Sequence, residues 1–471
     1  MPVDPEEQAV LDAVADGFPA AVAALGRLVR IPSIAFPGFP PEPLAASAEA
    51  VADLFRATGL FDRVSVHRAA YDHDGEQRLG SPAVLASRPA RPGRPTVLLY
   101  AHHDVQPTGP EEGWDSPPFE PTLVGERLHG RGASDDKAGV VTHLAAVTAA
   151  AAALGDRLEA GIALFVEGEE EAGSRSFAAF LAEHRGALAA DVIVVADSDN
   201  LDVHTPALTA SLRGNVTFTL TVATLEHASH SGMFGGAVPD AMLATLRLLA
   251  TLWDDGGAVA VPGLATAPDL GAPGGPSEEQ LAEDAGLLPG VRSIGSGTVA
   301  DRLWRSPAIT VIGIDGPDVR NASNTLQPQV RVRIGVRVAP GQPAADAFAA
   351  VRAFLERHAP FGARLSFADV DLGEAFLVDH AGWAAEAMRS ALEDGWGAAP
   401  VAMGIGGSIP FVSALADAFP EAQILLTGVE DPASRAHSPN ESQHLGVLRR
   451  AIAAEALLLT RLSRRDLGLE R

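Results

Sequence analysis

Continuous apolar runs, each followed at once by acidic or histidine residues, constrain this fold more than any other feature. The runs are Thr96–Tyr100, Gly161–Val166, Val192–Ala196 and Ile424–Thr427. Strands that are apolar at every position are typical of a parallel sheet covered on both faces, and helical patterns lie between these runs. In such sheets ligands bind beyond the carboxyl ends of the strands. We therefore predict an α/β fold with a mostly parallel sheet, helices on both faces and a site at that edge.

The middle of the chain has a different pattern. Apolar residues alternate with threonine over 216–222, and Gln329–Val338 alternates just as cleanly, which is typical of half-exposed strands. The order of predicted elements is strand, helix, strand, strand, helix and strand, over 216–222, 240–252, 308–314, 329–338, 344–356 and 364–370. This order is typical of a ferredoxin-like α+β domain.

The length of 471 residues favours two domains. We predict a catalytic domain formed by residues 1–212 and 379–471, with a smaller ferredoxin-like lid and dimerisation domain, residues 213–378, inserted into it. A Gly/Pro/Ala-rich loop over 256–275 has no role that the sequence indicates.

Charge and composition exclude several kinds of site. The formal net charge of −25 disfavours binding to nucleic acid. The chain contains no cysteine, so a metal would have to be held by His, Asp and Glu. We find neither an apolar run of about 18 residues nor a basic segment leading into an apolar one at the N-terminus. We therefore expect a cytoplasmic enzyme without a membrane partner.

Six polar motifs provide candidate ligands, and each has a simpler interpretation. They are His102-x-Asp104, Gly130–Lys137, Glu169–Glu171, Asp197-x-Asp199, His227–Gly236 and Ala436–Glu441. Asp135 and Asp136 would serve as helix caps, three adjacent glutamates as a solvated surface, and the histidines as parts of polar loops. The patterns alone leave the choice between Asp197 and Asp199 open.

Together these motifs offer two histidines and three acids after separate strand ends. That set is sufficient for two divalent cations bridged by one carboxylate, about 3.5–4 Å apart. Imidazole combined with carboxylate suits zinc, with manganese or cobalt as alternatives. We predict two Zn²⁺ per chain.

The motifs resemble those of the carnosinase-like dipeptidases, in the two-zinc metallopeptidase family with aminoacylase, acetylornithine deacetylase, succinyl-diaminopimelate desuccinylase and glutamate carboxypeptidase. The matching stretches appear in family order: Tyr100–Pro107, Gly130–Lys137, Glu167–Ser174, Ala196–Asn200, His230–Gly236, Gly406–Pro410 and Ala436–Glu441. The chain departs from many dipeptidase relatives at Gly404 and Ile405, where those have Arg and Glu.

The resemblance assigns the ligands. It implies one metal on His102 and Asp197, the other on Glu171 and His437, and Asp135 as the bridge. It further implies that Asp104 orients His102, that Glu170 is the general base, and that the Asp135–Asp136 peptide bond is cis.

The resemblance also implies substrate contacts from the lid. His230, supplied by the partner subunit of a homodimer formed through the lids, would stabilise the oxyanion. Arg337 would bind a substrate carboxylate in bidentate fashion. Further positions that resemble substrate-pocket residues are Asn324, Thr325, Gly407 and Ser408.

From this we predict a metal-dependent dipeptidase that uses a metal-bridging hydroxide on short peptides with a free C-terminal carboxylate. The alternative is an N-acyl- or N-carbamoyl-amino-acid amidohydrolase. A non-catalytic binding protein on a decayed scaffold would be expected to lack a ligand or the base, and a phosphoesterase would be expected to place more basic groups near the metals.

Overall fold

A computed structural model describes residues 4–73, 75–268, 275–378, 381–406 and 410–468. The first part of the chain forms α1 (Pro5–Val29), α2 (Glu42–Ala57), β1 (Arg63–His67), β2 (Ala70–His73), β3 (Glu76–Leu79), β4 (Ala83–Arg88), β5 (Thr96–His102), β6 (Thr122–Val124), β7 (Arg127–His129), α3 (Lys137–Leu154), β8 (Gly161–Glu167), α4 (Phe177–Leu188), β9 (Val192–Asp199) and β10 (Ala207–Leu212).

The middle of the chain forms β11 (Gly214–Ala223), β12 (Ser229–His230), α5 (Ser231–Phe234), α6 (Ala241–Leu249), α7 (Glu278–Asp284), β13 (Ala308–Asp315), β14 (Thr325–Leu326), β15 (Gln329–Val338), α8 (Ala344–His358), β16 (Arg364–Gly373) and β17 (Phe376–Leu377). The last part forms α9 (Trp383–Trp396), β18 (Val401–Ile405), α10 (Pro410–Ala418), β19 (Gln423–Glu430), β20 (Ser442–His444) and α11 (Leu445–Arg464).

The chain divides into two compact units. The first comprises residues 1–210, 378–403 and 414–471, and the second comprises 211–377 with 404–413. The second unit thus includes a short segment, 404–413, that the sequence had placed in the catalytic domain. Hydrogen bonds explain this grouping: the Arg213 backbone N–H donates to the Ile405 carbonyl, and its guanidinium donates to the Gly406 carbonyl.

The large sheet of the first unit runs in the order β1-β4-β8-β5-β9-β19-β10. Strands β8, β5, β9 and β19 are parallel, whereas β1, β4 and β10 pair antiparallel at the two sides. Every residue of β8 is buried, as expected for a strand covered on both faces. The predicted mostly parallel sheet is confirmed. The antiparallel strands at its two sides were not predicted, because apolar content does not indicate strand direction.

Helices α1, α3 and α11 pack together in the core of this unit. By length and composition, α1 and the helical segment Lys137–Arg157 could each cross a membrane. Most of the apolar window of Lys137–Arg157 is buried inside the unit, which is the usual situation of a core helix. The absence of a membrane partner stays a prediction.

The second unit contains a sheet in the order β13-β15-β11-β16, antiparallel throughout. Its strands and helices α6 and α8 follow the predicted order, and this sheet order is that of a ferredoxin-like domain. The inward positions of β11 and β15 alternate with outward ones, and they form a separate core with α6 and α8. Irregular chain connects α6 to β13, apart from α7, a short 3₁₀ turn and a short π-helical turn, Asp301–Arg305, among the described residues.

Candidate dinuclear metal site

The candidate ligands gather because parallel strands of the first unit end at one edge. His102 is the last residue of β5, and it lies in register with Glu167 at the end of β8. Asp197 lies near the end of β9, on the other side of β5. Buried apolar residues precede His102 and Asp197 in their strands. Because these residues fix each strand in the core, the polar side chains lie at the carboxyl edge of the sheet.

Asp135 lies between two histidines. Its Oδ1 is 3.0 Å from His102 Nε2, and its Oδ2 is 2.9 Å from His437 Nε2. Asp197 Oδ1 lies 3.8 Å from the same His102 nitrogen, and Glu171 Oε2 lies 3.1 Å from the His437 nitrogen. The structure thus brings the five predicted ligands together as two groups that share one carboxylate, the arrangement expected of a bridged cation pair.

Asp136 lies in the first group as well, although the resemblance does not name it as a ligand. Its donor atoms and those of His102 and Asp197 lie within 4.8 Å of one another. However, Asp136 Oδ2 accepts the His102 backbone N–H at 3.0 Å, and Oδ1 accepts the N–H of Gly139 at 3.0 Å. Asp136 therefore caps α3, as the simpler interpretation predicted, and also ties the end of β5 to that helix. The Asp135–Asp136 bond is cis, which confirms that prediction.

Asp104 supports both sides of the site. Its Oδ1 lies 3.4 Å from Nδ1 of His102, and its carboxylate also accepts the backbone N–H groups of Glu170 and Glu171 at 3.1 Å each. A buried carboxylate behind a histidine fixes the orientation of the ring. Sequence reasoning anticipated the contact with His102 but missed the link to the glutamates, which joins two strand ends distant in sequence.

Gln106 is a second residue that sequence reasoning missed. Its side-chain amide donates to Glu171 Oε2 at 2.6 Å. It belongs to the same motif as His102, but the resemblance assigns it no role. A polar side chain at the end of a ligand-bearing motif is the signal that would have identified it.

The acidic groups of the site have displaced pKa values. Burial, together with the negative charge of Asp135, raises the pKa of Glu171 to about 7. Burial also raises the pKa of Glu170 well above its ordinary value, and nearby acids add to the effect. Hydrogen bonds to Asp135 and Glu171 raise the pKa of His437 to about 11. Crowded carboxylates that hold protons this firmly are typical of a site built for positive charge.

The predicted lid residues belong to the second unit. His230 and Thr325 are paired between β12 and β14, and the Ser231 N–H donates to the Asn324 carbonyl at 3.0 Å, so three predicted substrate residues are neighbours. The His230 Nδ1 accepts the Gly232 N–H at 3.0 Å. Its neutral form therefore carries the proton on Nε2, which has no hydrogen-bond acceptor among the residues that the structure describes and can donate to a ligand. Gly407 and Ser408 lie outside the described residues.

Arg337 lies on β15, and its guanidinium is more than half buried. Within the described ranges, no hydrogen bond or ion pair joins it to another side chain. Burial, together with the positive charge of Arg337, lowers the pKa of Arg213 to about 10. The buried guanidinium of Arg213 and the partly buried guanidinium of Arg337 are close enough to repel each other, a setting that favours a bound anion.

The sequence profile of peptidase family M20/M25/M40 matches residues 98–461, which contain all five candidate ligands. The chain belongs to this family. Its membership confirms the predicted family and the prediction of a metal-dependent hydrolase. A cysteinylglycine-S-conjugate dipeptidase of Corynebacterium striatum is 35% identical over 370 residues, 78% of this chain and 80% of the relative. A Beta-Ala-His dipeptidase of Rattus norvegicus is 29% identical over 391 residues, 78% and 77% of the two chains.

Solved structures of the family share the fold of this peptidase. Human carnosine dipeptidase 1 superimposes with a TM-score of 0.83 at 23% identity, covering 98% of this chain and 100% of that one. The dipeptidase Dug1p of Saccharomyces cerevisiae gives a TM-score of 0.82 at 22% identity, covering 98% and 99%. At these identities the likeness establishes the α/β fold with its additional α+β domain.

Proposed function

We propose that this peptidase is a metal-dependent dipeptidase that hydrolyses the amide bond of short peptides with a free C-terminal carboxylate. One observation carries the proposal: Asp135 presents one carboxylate oxygen to each of two histidine–carboxylate groups. The names of relatives at 35% and 29% identity agree with the dipeptidase class. The alternative is hydrolysis of N-acyl- or N-carbamoyl-amino acids, which carry the same carboxylate beside a different amide.

The donor set fits two divalent cations, for which we propose Zn²⁺. His102, Asp197 and Asp135 would hold one cation, and His437, Glu171 and Asp135 the other. Nitrogen and oxygen donors without sulfur suit zinc, manganese and cobalt. When bound, such a pair of cations lowers the pKa of a coordinated water molecule and polarises the carbonyl oxygen of the substrate.

Glu170 is the group that moves the proton in this proposal. Asp104 holds its backbone, and among the described residues no hydrogen bond or ion pair engages its carboxylate. A carboxylate held by its main chain but free at its oxygens can accept a proton from the attacking water and pass it to the leaving amine. The neighbouring Glu169 is occupied instead, because its two oxygens accept the N–H groups of Ser81 and Ser176.

The lid residues supply recognition in this proposal. The guanidinium of Arg337, which has no side-chain partner in the described part of the chain, would bind the C-terminal carboxylate of the substrate with planar bidentate geometry. The Nε2–H of His230 would donate to the developing oxyanion. We propose that this histidine acts across a homodimer formed through the lid domains.

Exposed apolar residues support the proposed dimer. Ile312 and Ile314 are about half exposed on β13, an outer strand of the second sheet, and Val370 and Leu372 are similarly exposed on the opposite outer strand, β16. Outer strands with apolar side chains favour association. Light scattering on the purified protein at several concentrations tests this part; a monomer throughout would reject it.

The proposal also includes a cytoplasmic location without nucleic-acid or membrane partners. The lack of cysteine is compatible with a reducing compartment, and the charge of −25 opposes contact with phosphate backbones. Fractionation of the source cells tests the location, and recovery in the membrane fraction would contradict it.

A substrate panel tests the activity. The metal-free protein is reloaded separately with Zn²⁺, Mn²⁺ or Co²⁺ and given Cys-Gly, β-Ala-His, the same dipeptides amidated at the C-terminus, and N-acetyl- and N-carbamoyl-amino acids. We expect hydrolysis of the free dipeptides and at least tenfold lower kcat/KM for the amidated ones. Preference for carbamoyl or acetyl substrates would select the alternative, and equal rates on amidated dipeptides would reject recognition of the carboxylate.

A further inference from the structure

Glu441 is a fully buried carboxylate whose oxygens are both occupied by donors from another segment of the chain. Its Oε2 accepts from the Arg131 guanidinium at 2.6 Å and from the Gly132 N–H at 2.9 Å. Its Oε1 accepts the N–H groups of Ser134 and Asp135 at 3.0 and 3.1 Å. The last of these donors belongs to Asp135, whose own carboxylate lies near both His102 and His437.

The segment that surrounds Glu441 is shaped for it. Gly132 has a positive φ of 78°, and a Cβ there would lie 2.4 Å from a Val105 methyl group, so only glycine allows the turn that points the N–H groups inward. Arg131, which is 1% exposed, neutralises the Glu441 charge and also donates to the Pro107 carbonyl at 3.4 Å. A buried carboxylate with four donors is fully satisfied, and removal of that acceptor leaves buried N–H groups without a partner.

Glu441 and His437 lie on the same connection between β19 and β20. Gly130 donates its backbone N–H to the Glu441 carbonyl at 2.9 Å, and the Ser134 hydroxyl donates to the Gln443 side chain at 3.1 Å. The contact made by the Glu441 side chain differs from these two, because it involves the backbone N–H of Asp135, the proposed bridging residue. It therefore joins the loop that carries one ligand to the loop that carries another.

We propose that Glu441 is a positioning residue that holds Asp135 at the fixed distance from His437 needed to bridge two cations. This inference rests on the proposed two-metal function. In Glu441→Gln, an NH₂ group replaces one carboxylate oxygen. Because all the partners of that side chain are donors, this NH₂ group must face another donor and cannot form a hydrogen bond with it. Asp135 would then lose its backbone anchor, and both cations would be affected because it contributes to each.

Affinity for the metals, measured by competition with a chelator of known affinity, tests the proposal. We expect Glu441→Gln to bind both equivalents of Zn²⁺ at least tenfold more weakly than the wild-type protein. Glu455→Gln is the matched control, since Glu455 is also buried and pairs with His143 at 2.9 Å but, within the described residues, accepts no hydrogen bond from a loop that carries a metal ligand. We expect that control to lower the melting temperature of the metal-free protein and to change metal affinity less than twofold.

A second variant covers the case in which Glu441→Gln does not fold. Glu441→Asp retains the charge but is one methylene too short to reach all of its donors, and we expect at least a threefold loss of metal affinity. Wild-type affinity in Glu441→Asp or in a folded Glu441→Gln would overturn the proposal, even if the melting temperature fell. If the wild-type protein bound metals but hydrolysed no substrate, the proposed function would fail while the affinity measurement would still decide this inference.

Discussion

Asp104 holds the main chain of Glu170, because its Oδ1 accepts the Glu170 backbone N–H at 3.1 Å. The same carboxylate lies 3.4 Å from His102 Nδ1 and accepts the N–H of Glu171 through its other oxygen. One side chain thus positions the proposed base and a ligand for each cation.

Asp104→Asn should therefore impair metal binding and catalysis together. The asparagine amide keeps one oxygen acceptor, but its NH₂ group cannot accept the second backbone N–H. One of the hydrogen bonds to Glu170 and Glu171 is therefore lost, and the 170–171 turn must shift. We expect a 10–100-fold loss of metal affinity, measured by chelator competition, and a lower kcat at saturating metal. Unchanged values for both would show that Asp104 only fills space.

Glu170→Gln should separate catalysis from metal binding. Loss of the base should lower kcat by about 10²–10⁴-fold, whereas the ligands stay in place. Steady-state rates at saturating Zn²⁺, together with metal analysis, provide the measurement. Glu169→Gln is the control: its carboxylate is occupied by two backbone N–H groups, so we expect a loss of stability and a much smaller effect on kcat. Equal rates for Glu170→Gln and wild type would reject this base.

Metal removal should destabilise the first unit. Without cations the acids of the site are buried and repel one another; burial, together with the negative charge of Asp135, raises the pKa of Glu171 to about 7. A ligand present at 100 times its Kd stabilises the folded state by about 2.7 kcal/mol. We expect chelation to lower the melting temperature and abolish hydrolysis, with both restored by added metal. A melting temperature independent of metal would contradict the assignment of His102 and His437 as ligands.

Lys137 should make stability depend on pH. Its amine is buried and donates to the carbonyls of Leu28 and Ile31, and burial lowers its pKa from 10.5 to about 7. Between pH 7 and 10.5 the unfolded chain holds this proton more often than the folded chain does. Its contribution to the free energy of unfolding therefore rises with pH, by at most about 1.4 kcal/mol per unit.

Urea unfolding of metal-free protein from pH 7 to 10 measures this effect. The wild-type profile should rise relative to that of Lys137→Met, since groups common to both proteins, such as His437, cancel in the difference. Parallel profiles would show that the buried amine keeps its ordinary pKa.

Arg337→Met should weaken recognition of one substrate group. Because the guanidinium has no side-chain partner among the described residues, its removal leaves none of their carboxylates unpaired. We expect KM for free dipeptides to rise at least tenfold, with little change for C-terminally amidated ones. Arg333→Met is the control, since Arg333 lies on the same strand but is engaged by Thr217, Thr219 and the Asp369 carbonyl. Equal losses on both substrate forms would contradict carboxylate binding.

Local patterns determined much of this protein. Unbroken apolar runs predicted the buried strands β5, β8 and β9, and clean alternation predicted β15, because the periodicity of burial is written into neighbouring residues. The ligand types could also be read from the motifs that follow those strands, and family resemblance gave each a role.

Only the tertiary structure decided which distant groups meet. Glu441 reaches the N–H of Asp135, Asp104 holds the main chain of Glu170, and Gln106 donates to Glu171, each between segments far apart in sequence. The assignment of 404–413 to the second unit is of the same kind. Such contacts depend on how the packed strands and loops bring distant chain segments together. Hydrophobic periodicity within one segment carries no information about which other segment it will contact.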